Sequence, residues 1–285
     1  MEDRELRTLN HLMYMEYYTG GNAGLFMKMK QLVYSFQSPF QRIDIFEHPE
    51  FGMVLVLDGI TMFTEADEFM YHEMLIHPAL LTHPQPEKIL IVGGGDGGAS
   101  REVLKHPVKK VKLVDIDAAV IEVSRKYLPK LGNWNDRRLE VLVEDAVKYL
   151  ALSDEIYDVI VMDSTDPLPS GTAEPLFSKD FFQSAYDHLS DNGVLVSQIE
   201  PPFFQPEREQ RHWESLKMFP LVKIYWGLVP TYPGGIWTYM IASKGRDPET
   251  SFKKLLFSTR YYTPEIHRAA FVLPPFMQER LSKKL

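Results

Sequence analysis

The chain has 285 residues, 45% of them hydrophobic, which is enough for one large domain or for a large domain carrying a smaller one. A formal net charge of −8 and a pI near 5.6 argue against a broad nucleic-acid-binding surface, so no nucleic-acid partner is expected. There is no cysteine, which excludes disulfides, thiolate metal sites and cysteine nucleophiles.

The opening Met1-Glu2-Asp3-Arg4-Glu5 lacks the basic and apolar regions of a signal peptide. No uncharged apolar run approaches the ~18 residues of a membrane span, so a cytoplasmic protein without a membrane partner is expected. Residues 1–65 read as β-rich, with short apolar segments over 42–47 and 52–57 punctuated by Pro49, Gly52 and Asp58-Gly59. From about Asp67 the pattern turns helical through Thr82, and after Pro84 and Pro86 a fully apolar strand begins at Ile89.

Strand and helix then alternate. A strand over 89–92 leads through a glycine loop to a helix ending near His106, and a strand over 111–114 leads to a helix over 118–127. Strands over 139–143 and 157–162, a helix over 178–189 and a strand over 193–197 follow. Continuous Val/Ile/Leu runs between helices mark strands covered on both faces, hence an α/β fold with a doubly wound, mostly parallel sheet. The expected organisation is a small N-terminal β-strand domain over 1–65 and a Rossmann-like catalytic domain over 66–285.

Ligands of such sheets bind beyond the carboxyl ends of the strands, and here those ends are acidic. The first carries Gly93-Gly94-Gly95-Asp96-Gly97-Gly98, in which Gly93, Gly95 and Gly98 satisfy the G-x-G-x-x-G fingerprint shared by dinucleotide and S-adenosylmethionine folds. Asp96 separates the two, because its carboxylate would repel a pyrophosphate at the following helix N-terminus and welcome a cation. Capping of that helix is its plain structural alternative.

The second end carries Asp115-Ile116-Asp117. Asp115 lies 19 residues after Asp96, where an acid accepts both hydroxyls of an adenosine ribose. Asp117 directly precedes Ala118-Ala119-Val120 and suits a helix N-cap. At the third end, Glu144-Asp145-Ala146 offers a carboxylate for an adenine amino group, or a solvated loop acid. The fourth carries Asp163-Ser164-Thr165-Asp166-Pro167 and a Pro/Ser/Gly segment through Thr172, the pattern of a substrate site under a closing lid. A turn at Asp166-Pro167 would leave Asp163 at the strand tip unexplained. Acids converging on one crevice repel, and a cationic ligand set would offset that. No His/Asp/Glu group has obvious metal spacing, so no metal is expected.

As a set, these residues resemble the spermidine synthase (polyamine aminopropyltransferase) family. The run from Val92 to His106, with Gly93-Gly94-Gly95-Asp96-Gly97-Gly98 and Arg101-Glu102, is similar to its signature. So are Asp163-Ser-Thr-Asp166-Pro167, Pro230-Thr-Tyr232-Pro-Gly-Gly235, the segment from His267 to Pro274, Gln41-Arg-Ile-Asp44 and the segment from Asp67 to Glu73. The resemblance implies a methyltransferase-type sheet behind the small β domain, and a homodimer or homotetramer. It implies small cationic partners, decarboxylated S-adenosylmethionine as co-substrate and putrescine or a related polyamine as acceptor, with no cofactor.

Carried over residue by residue, it implies that Asp96 holds the donor's aminopropyl ammonium and Asp115 its ribose diol, while Asp145 binds the adenine amino group. Gly93, Gly95, Ile116 and Ala146 would frame the donor, and Gln41 would touch the nucleoside. Asp163 would be the catalytic carboxylate and Asp166 the anchor for the acceptor's far amine. Tyr71, His72, Tyr232, Trp237, Gln198 and Glu200 would line the acceptor channel. Three features depart from the commoner pattern: Asp115 replaces a frequent Glu, the lid reads Leu168-Pro-Ser-Gly171, and Pro201, Pro202 and Pro206 lie close to the expected channel. They bear on acceptor identity, so agmatine, cadaverine or a longer polyamine stay open. A small-molecule methyltransferase, a nicotinamide dehydrogenase and a non-catalytic polyamine sensor are the rival readings, the first two disfavoured by Asp96.

Overall fold

Short segments that alternate apolar and polar residues fold the N-terminal part of the chain into antiparallel strands. The computed structural model describes residues 12–18, 21–166, 171–204 and 206–282. Within it β1 (Leu12–Tyr18) pairs with β2 (Ala23–Met29), and β3 (Gln31–Gln37), β4 (Arg42–His48), β5 (Gly52–Leu57) and β6 (Ile60–Thr64) form a four-stranded meander. Asp58-Gly59 makes the β5–β6 hairpin because both residues take positive φ, +50° and +81°, as a primed two-residue turn requires. Met27, Phe46, Val54 and Val56 form the small core of this unit. The chain divides between Asp67 and Glu68.

The second unit opens with α1 (Glu68–Thr82), buried along nearly its whole length, with Glu68, His72, Glu73 and His77 set among its apolar residues. The elements β7 (Lys88–Gly93), α2 (Gly98–Leu104), β8 (Lys110–Asp115), α3 (Ala118–Tyr127), β9 (Leu139–Val143), α4 (Ala146–Leu152) and β10 (Tyr157–Asp163) follow. Then come α5 (Lys179–Asp187), β11 (Leu189–Glu200), α6 (Pro206–Ser215), β12 (Leu221–Leu228), β13 (Ile236–Ser243), α7 (Pro264–Ala270) and α8 (Pro275–Ser282). The sheet runs β12-β13-β11-β10-β7-β8-β9. Ile89 and Ile91 of β7 face one core, with α1 and α2, while Leu90 and Val92 face the other, with Phe181 and Phe182 of α5. Both faces are covered, as the unbroken apolar runs predict.

The five strands from β11 to β9 are parallel, which agrees with the expected doubly wound, mostly parallel sheet behind a small β domain. The alternating pattern does not predict the next two. β12 and β13 are joined by a short Pro/Gly connection too tight for a crossover, so they pair as a hairpin and β13 docks antiparallel on β11. The helix expected to reach His106 stops at Leu104, since the residue before Pro107 is held out of the helical region. Among the described residues no helix is long and apolar enough to cross a membrane.

Candidate active site

An open α/β sheet forms its crevice where successive strands turn away to opposite sides. That point lies between β7 and β10: β8 and β9 extend the sheet on one side, β10 and β11 on the other. Gly93 and Asp163 are partners across it. Gly94 donates its N–H to the Asp163 carbonyl at 2.7 Å. A Cβ on Gly93, whose φ is +80°, would stand 2.3 Å from the same oxygen, so strand contact alone demands glycine here.

Asp163 ends β10. Its Oδ1 accepts from Tyr71 Oη at 2.8 Å, and its Oδ2 is buried without a hydrogen-bond partner. Burial, and then the charge of Asp96, push this carboxyl up to about 7 against the opposing pull of His72 and Tyr71. Burial and the neighbouring Asp163 push the Tyr71 phenol well above its ordinary range, so Tyr71 remains a donor. Its ring lies 5.8 Å from that of Tyr232, which in turn meets Trp237 edge-on at 4.7 Å.

Asp96 lies in the glycine loop one residue before Gly97, the N-cap of α2. Oδ1 accepts from the Gly98 N–H at 2.7 Å, while Oδ2 faces His72 Nε2 at 3.7 Å. His72 is 1% exposed, and its Nδ1 is 2.7 Å from Glu68 Oε2. Burial opposes a charge on this ring, but Asp96 and Glu68 outweigh it and raise the imidazole to about 10. The loop closes on the ring so tightly that a Cβ on Gly98 would be 2.2 Å from it, which accounts for the last glycine of the fingerprint.

Asp115 ends β8 and accepts from the N–H groups of Gly95 and Asp117, each at 2.9 Å. Burial pushes its carboxyl up to about 6, with Asp117 and Asp96 adding to the effect against those two N–H groups. Asp117 caps α3 through Ala119, as expected. Asp145 caps α4, with Oδ1 taking the Val147 N–H at 2.9 Å, a task the sequence reading did not assign to it. Ile116 follows Asp115 half-buried, and Ala146 is the buried first residue of α4. Gln41 belongs to the N-terminal unit, where its N–H donates to Ser38 Oγ at 3.0 Å.

On the other side of Asp163, the buried Gln198 of β11 donates from Nε2 to Asp166 Oδ1 at 3.2 Å and to the Ser164 carbonyl at 3.3 Å. Gln198 Oε1 and Trp237 Nε1 are buried without partners. Glu200 ends β11 opposite Thr238; its side chain, and residues 167–170 of the expected lid, lie outside the described residues. Pro201 and Pro202 leave β11, and Pro206 opens α6, where a missing N–H is tolerated.

The sequence reading passed over two residues that touch this cluster. Arg101 of α2 grips Glu68 with a fork, NH1 to Oε1 at 2.9 Å and NH2 to Oε2 at 2.8 Å. The signal was present, since Glu68 and His72 are four apart on one helix and share a face. Among the described residues, two groups bring three polar side-chain atoms within 4.8 Å of one another: His72 with Asp96 and Asp163, and Glu73 with His77 and Glu102.

Residues 68–254 match the family model of the spermine/spermidine synthase domain, and residues 12–65 match that of the spermidine synthase tetramerisation domain. The chain is 47% identical over 287 residues to a polyamine aminopropyltransferase of Thermotoga neapolitana, covering 98% of this chain and 97% of the relative. It superposes on a crystal structure of spermidine synthase in complex with the transition state analogue AdoDATO with a TM-score of 0.93, at 46% identity and covering 98% of both chains. The spermidine synthase of Thermotoga maritima gives 0.91 at 46% identity, over 98% of this chain and 97% of that one. Family matches in both units, and relatives that span nearly its full length, show that the chain belongs to the spermine/spermidine synthase family and is a transferase of the aminopropyltransferase class.

Proposed function

We propose that the protein is a spermidine synthase that moves the aminopropyl group of decarboxylated S-adenosylmethionine to putrescine, releasing spermidine and 5′-methylthioadenosine. The observation that carries this reading is Asp163, a carboxylate between Asp96 and His72 with one buried oxygen left unpartnered. A buried carboxylate in that state gains from an ammonium ligand.

The acceptor amine attacks the carbon next to the sulfonium. A C–N bond forms as the C–S bond breaks, the bonding pair returns to sulfur, and neutral methylthioadenosine leaves. The leaving group is built into the donor, so the reaction requires neither a metal nor a covalent intermediate. The nucleophile is the harder part. An alkyl ammonium titrates near the lysine value of ~10.4, so freeing its lone pair at neutral pH costs about 4–5 kcal/mol. Asp163 takes that proton, with Tyr71 orienting the carboxylate, and its elevated pKa of about 7 suits a base that works near neutrality.

Asp166, steadied by Gln198, anchors the distal ammonium, and Tyr232 and Trp237 give the methylene chain an apolar wall. Asp96 receives the donor's aminopropyl ammonium, Asp115 the ribose diol and Asp145 the adenine amino group. Ile116 and Ala146 complete the nucleoside site. The match of 12–65 to a tetramerisation domain supports a homo-oligomer.

Purified protein incubated with decarboxylated S-adenosylmethionine and single amines, followed by mass spectrometry, tests the reading. Methylthioadenosine with spermidine is expected from putrescine. Preferred turnover of agmatine, cadaverine or a triamine keeps the reaction and reassigns the acceptor. Folded protein that releases no methylthioadenosine with any amine overturns it.

A further inference from the structure

We propose that Glu68 and Arg101 are positioning residues for the transfer reaction: Arg101 fixes Glu68, and Glu68 fixes the His72 ring so that Nε2–H faces Asp96 and Asp163 as a built-in counter-cation. This deepens the proposed function and rests on its assignment of Asp163 as proton acceptor.

The relay can be followed atom by atom. The Arg101 guanidinium is held on three sides, by the fork to Glu68, by Glu102 Oε1 at 2.8 Å from Nε, and by the Leu131 carbonyl at 3.2 Å from NH1. Its grip sets the plane of the Glu68 carboxylate, 8% exposed at the side chain, whose Oε2 then meets His72 Nδ1 at 2.7 Å. A carboxylate only accepts, so Nδ1 carries hydrogen. The other ring nitrogen looks at two more carboxylates: Asp96 Oδ2 lies 3.7 Å from it, and an Asp163 oxygen lies within 4.8 Å. A lone pair there would face negative charge, so a second N–H is favoured.

The ring cannot turn away, because Gly98 lies against its face and Tyr71 packs edge-on with ring centres 5.2 Å apart. The charged and titratable groups facing His72 are Glu68 and Tyr71 from α1, Arg101 from α2, Asp96 from the glycine loop and Asp163 from β10. Those facing Asp163 are Asp96, His72, Tyr71 and Asp115. The elevated imidazole, at about 10, agrees with this geometry.

The consequence for the reaction is twofold. A positive ring beside Asp163 opposes the burial and the like charges that raise its proton affinity, and so keeps the base ionised near neutral pH. Because Nε2 stands off at 3.7 Å rather than hydrogen-bonding, Asp96 Oδ2 keeps a direction free for the donor ammonium. The relay also gives a task to Glu68 and Arg101, which lie within the two signature-like segments and which no part of the chemistry has otherwise used.

The test uses the full-length enzyme and its Glu68→Gln and Arg101→Lys variants, with melting temperatures recorded for each. In ¹⁵N-histidine-labelled protein at pH 8, His72 is expected to give an imidazolium signature with both nitrogens protonated. Its signal is assigned among the nine histidines by difference with His72→Gln. Glu68→Gln is expected to convert the ring to the neutral form and to move the acidic limb of kcat up by roughly one pH unit or more. Turnover near neutrality then falls about tenfold, with a smaller change in donor KM. Arg101→Lys is expected to give a smaller shift in the same direction, and it decides the matter should Glu68→Gln fail to fold. A neutral His72 in the parent enzyme at pH 8 overturns the proposal. So does a folded variant that loses the imidazolium while the acidic limb stays put. The resonance measurement needs no substrate, so its failure is distinguishable from failure of the transferase reading, which would show as no methylthioadenosine from any amine.

Discussion

Two clusters of charge hang from α1, one at the strand ends and one deeper along the same helix. In the deeper one, Glu73 takes the backbone N–H of Arg260 at 2.9 Å and those of Tyr261 and Tyr262 at 2.8 Å. Glu102 is closed by Arg101 at 2.8 Å, by Lys105 at 2.6 Å and by His77 at 3.2 Å. His77 Nδ1 meets His106 Nε2 at 3.0 Å, and burial followed by the charge of His77 pushes His106 down to about 3. His77 Nε2 and Glu102 Oε2 of this cluster make no hydrogen bond, but they face one another, and Glu102 faces Lys105, as ion pairs; in the crevice Asp163 Oδ2, Gln198 Oε1 and Trp237 Nε1 are buried without a hydrogen-bond partner. Both clusters bury ionisable groups, so burial of charge does not tell a site from a scaffold. Completion does: buried polar groups are ordinarily satisfied, and a set left open at one end has room for a ligand.

Asp163→Asn strikes the open cluster where the effect should be greatest. Removing a positioned base is expected to lower kcat by roughly 10²–10⁴-fold, while methylthioadenosine binding, read by calorimetry, stays near the parent value. The parent's pH profile sharpens the point. A carboxyl raised to about 7 is neutral below that pH and cannot take a proton, so kcat should fall about tenfold per unit below 7 and level off above it. An acidic limb that survives in Asp163→Asn would assign the titration to another group.

The closed cluster should fail differently. Glu73→Gln turns an all-acceptor carboxylate into an amide whose NH₂ must face backbone N–H groups. A loss of roughly 1.5–3 kcal/mol in stability is expected, about 3–12 °C in Tm, with turnover per folded molecule unchanged. A specific loss of kcat at constant Tm would erase the distinction between the two clusters.

Asp145 lies between the categories, since it caps α4 and is also proposed to take the adenine amino group. Asn caps about as well as Asp, so Asp145→Asn should leave Tm in place. It should weaken methylthioadenosine binding only a few-fold, about 1 kcal/mol. Unchanged affinity would make Asp145 a cap and nothing more.

The parallel half of the fold and the strand-end acids are legible in the sequence because each follows a local rule. A buried strand is an apolar run, and the residue after it sits at the crevice: Asp96, Asp115 and Asp163 are found that way. The antiparallel hairpin of β12 and β13 is not, because its placement beside β11 depends on a long-range pairing that no local period records. The Arg101–Glu68 fork escapes for the same reason, joining residues 33 apart in sequence. The glycines teach a related lesson. Gly93 and Gly98 match a ligand-binding fingerprint, yet the structure requires them for contacts with Asp163 and His72.

The place of β13 has a consequence for how the molecule is made. This last strand, which brings Trp237 and Tyr239, does not extend the edge but slots between β11 and β12. During synthesis β7, β8 and β9 emerge early and pair with near neighbours in sequence, whereas β13 can dock on β11 only once it has emerged, carrying β12 with it as its hairpin partner. Such distant pairings form late and slowly. A nascent chain therefore completes the ends of β7, β8 and β9 before Trp237 and Tyr239 are in place, and the half-built sheet exposes the β11 edge until Ser243 has left the ribosome.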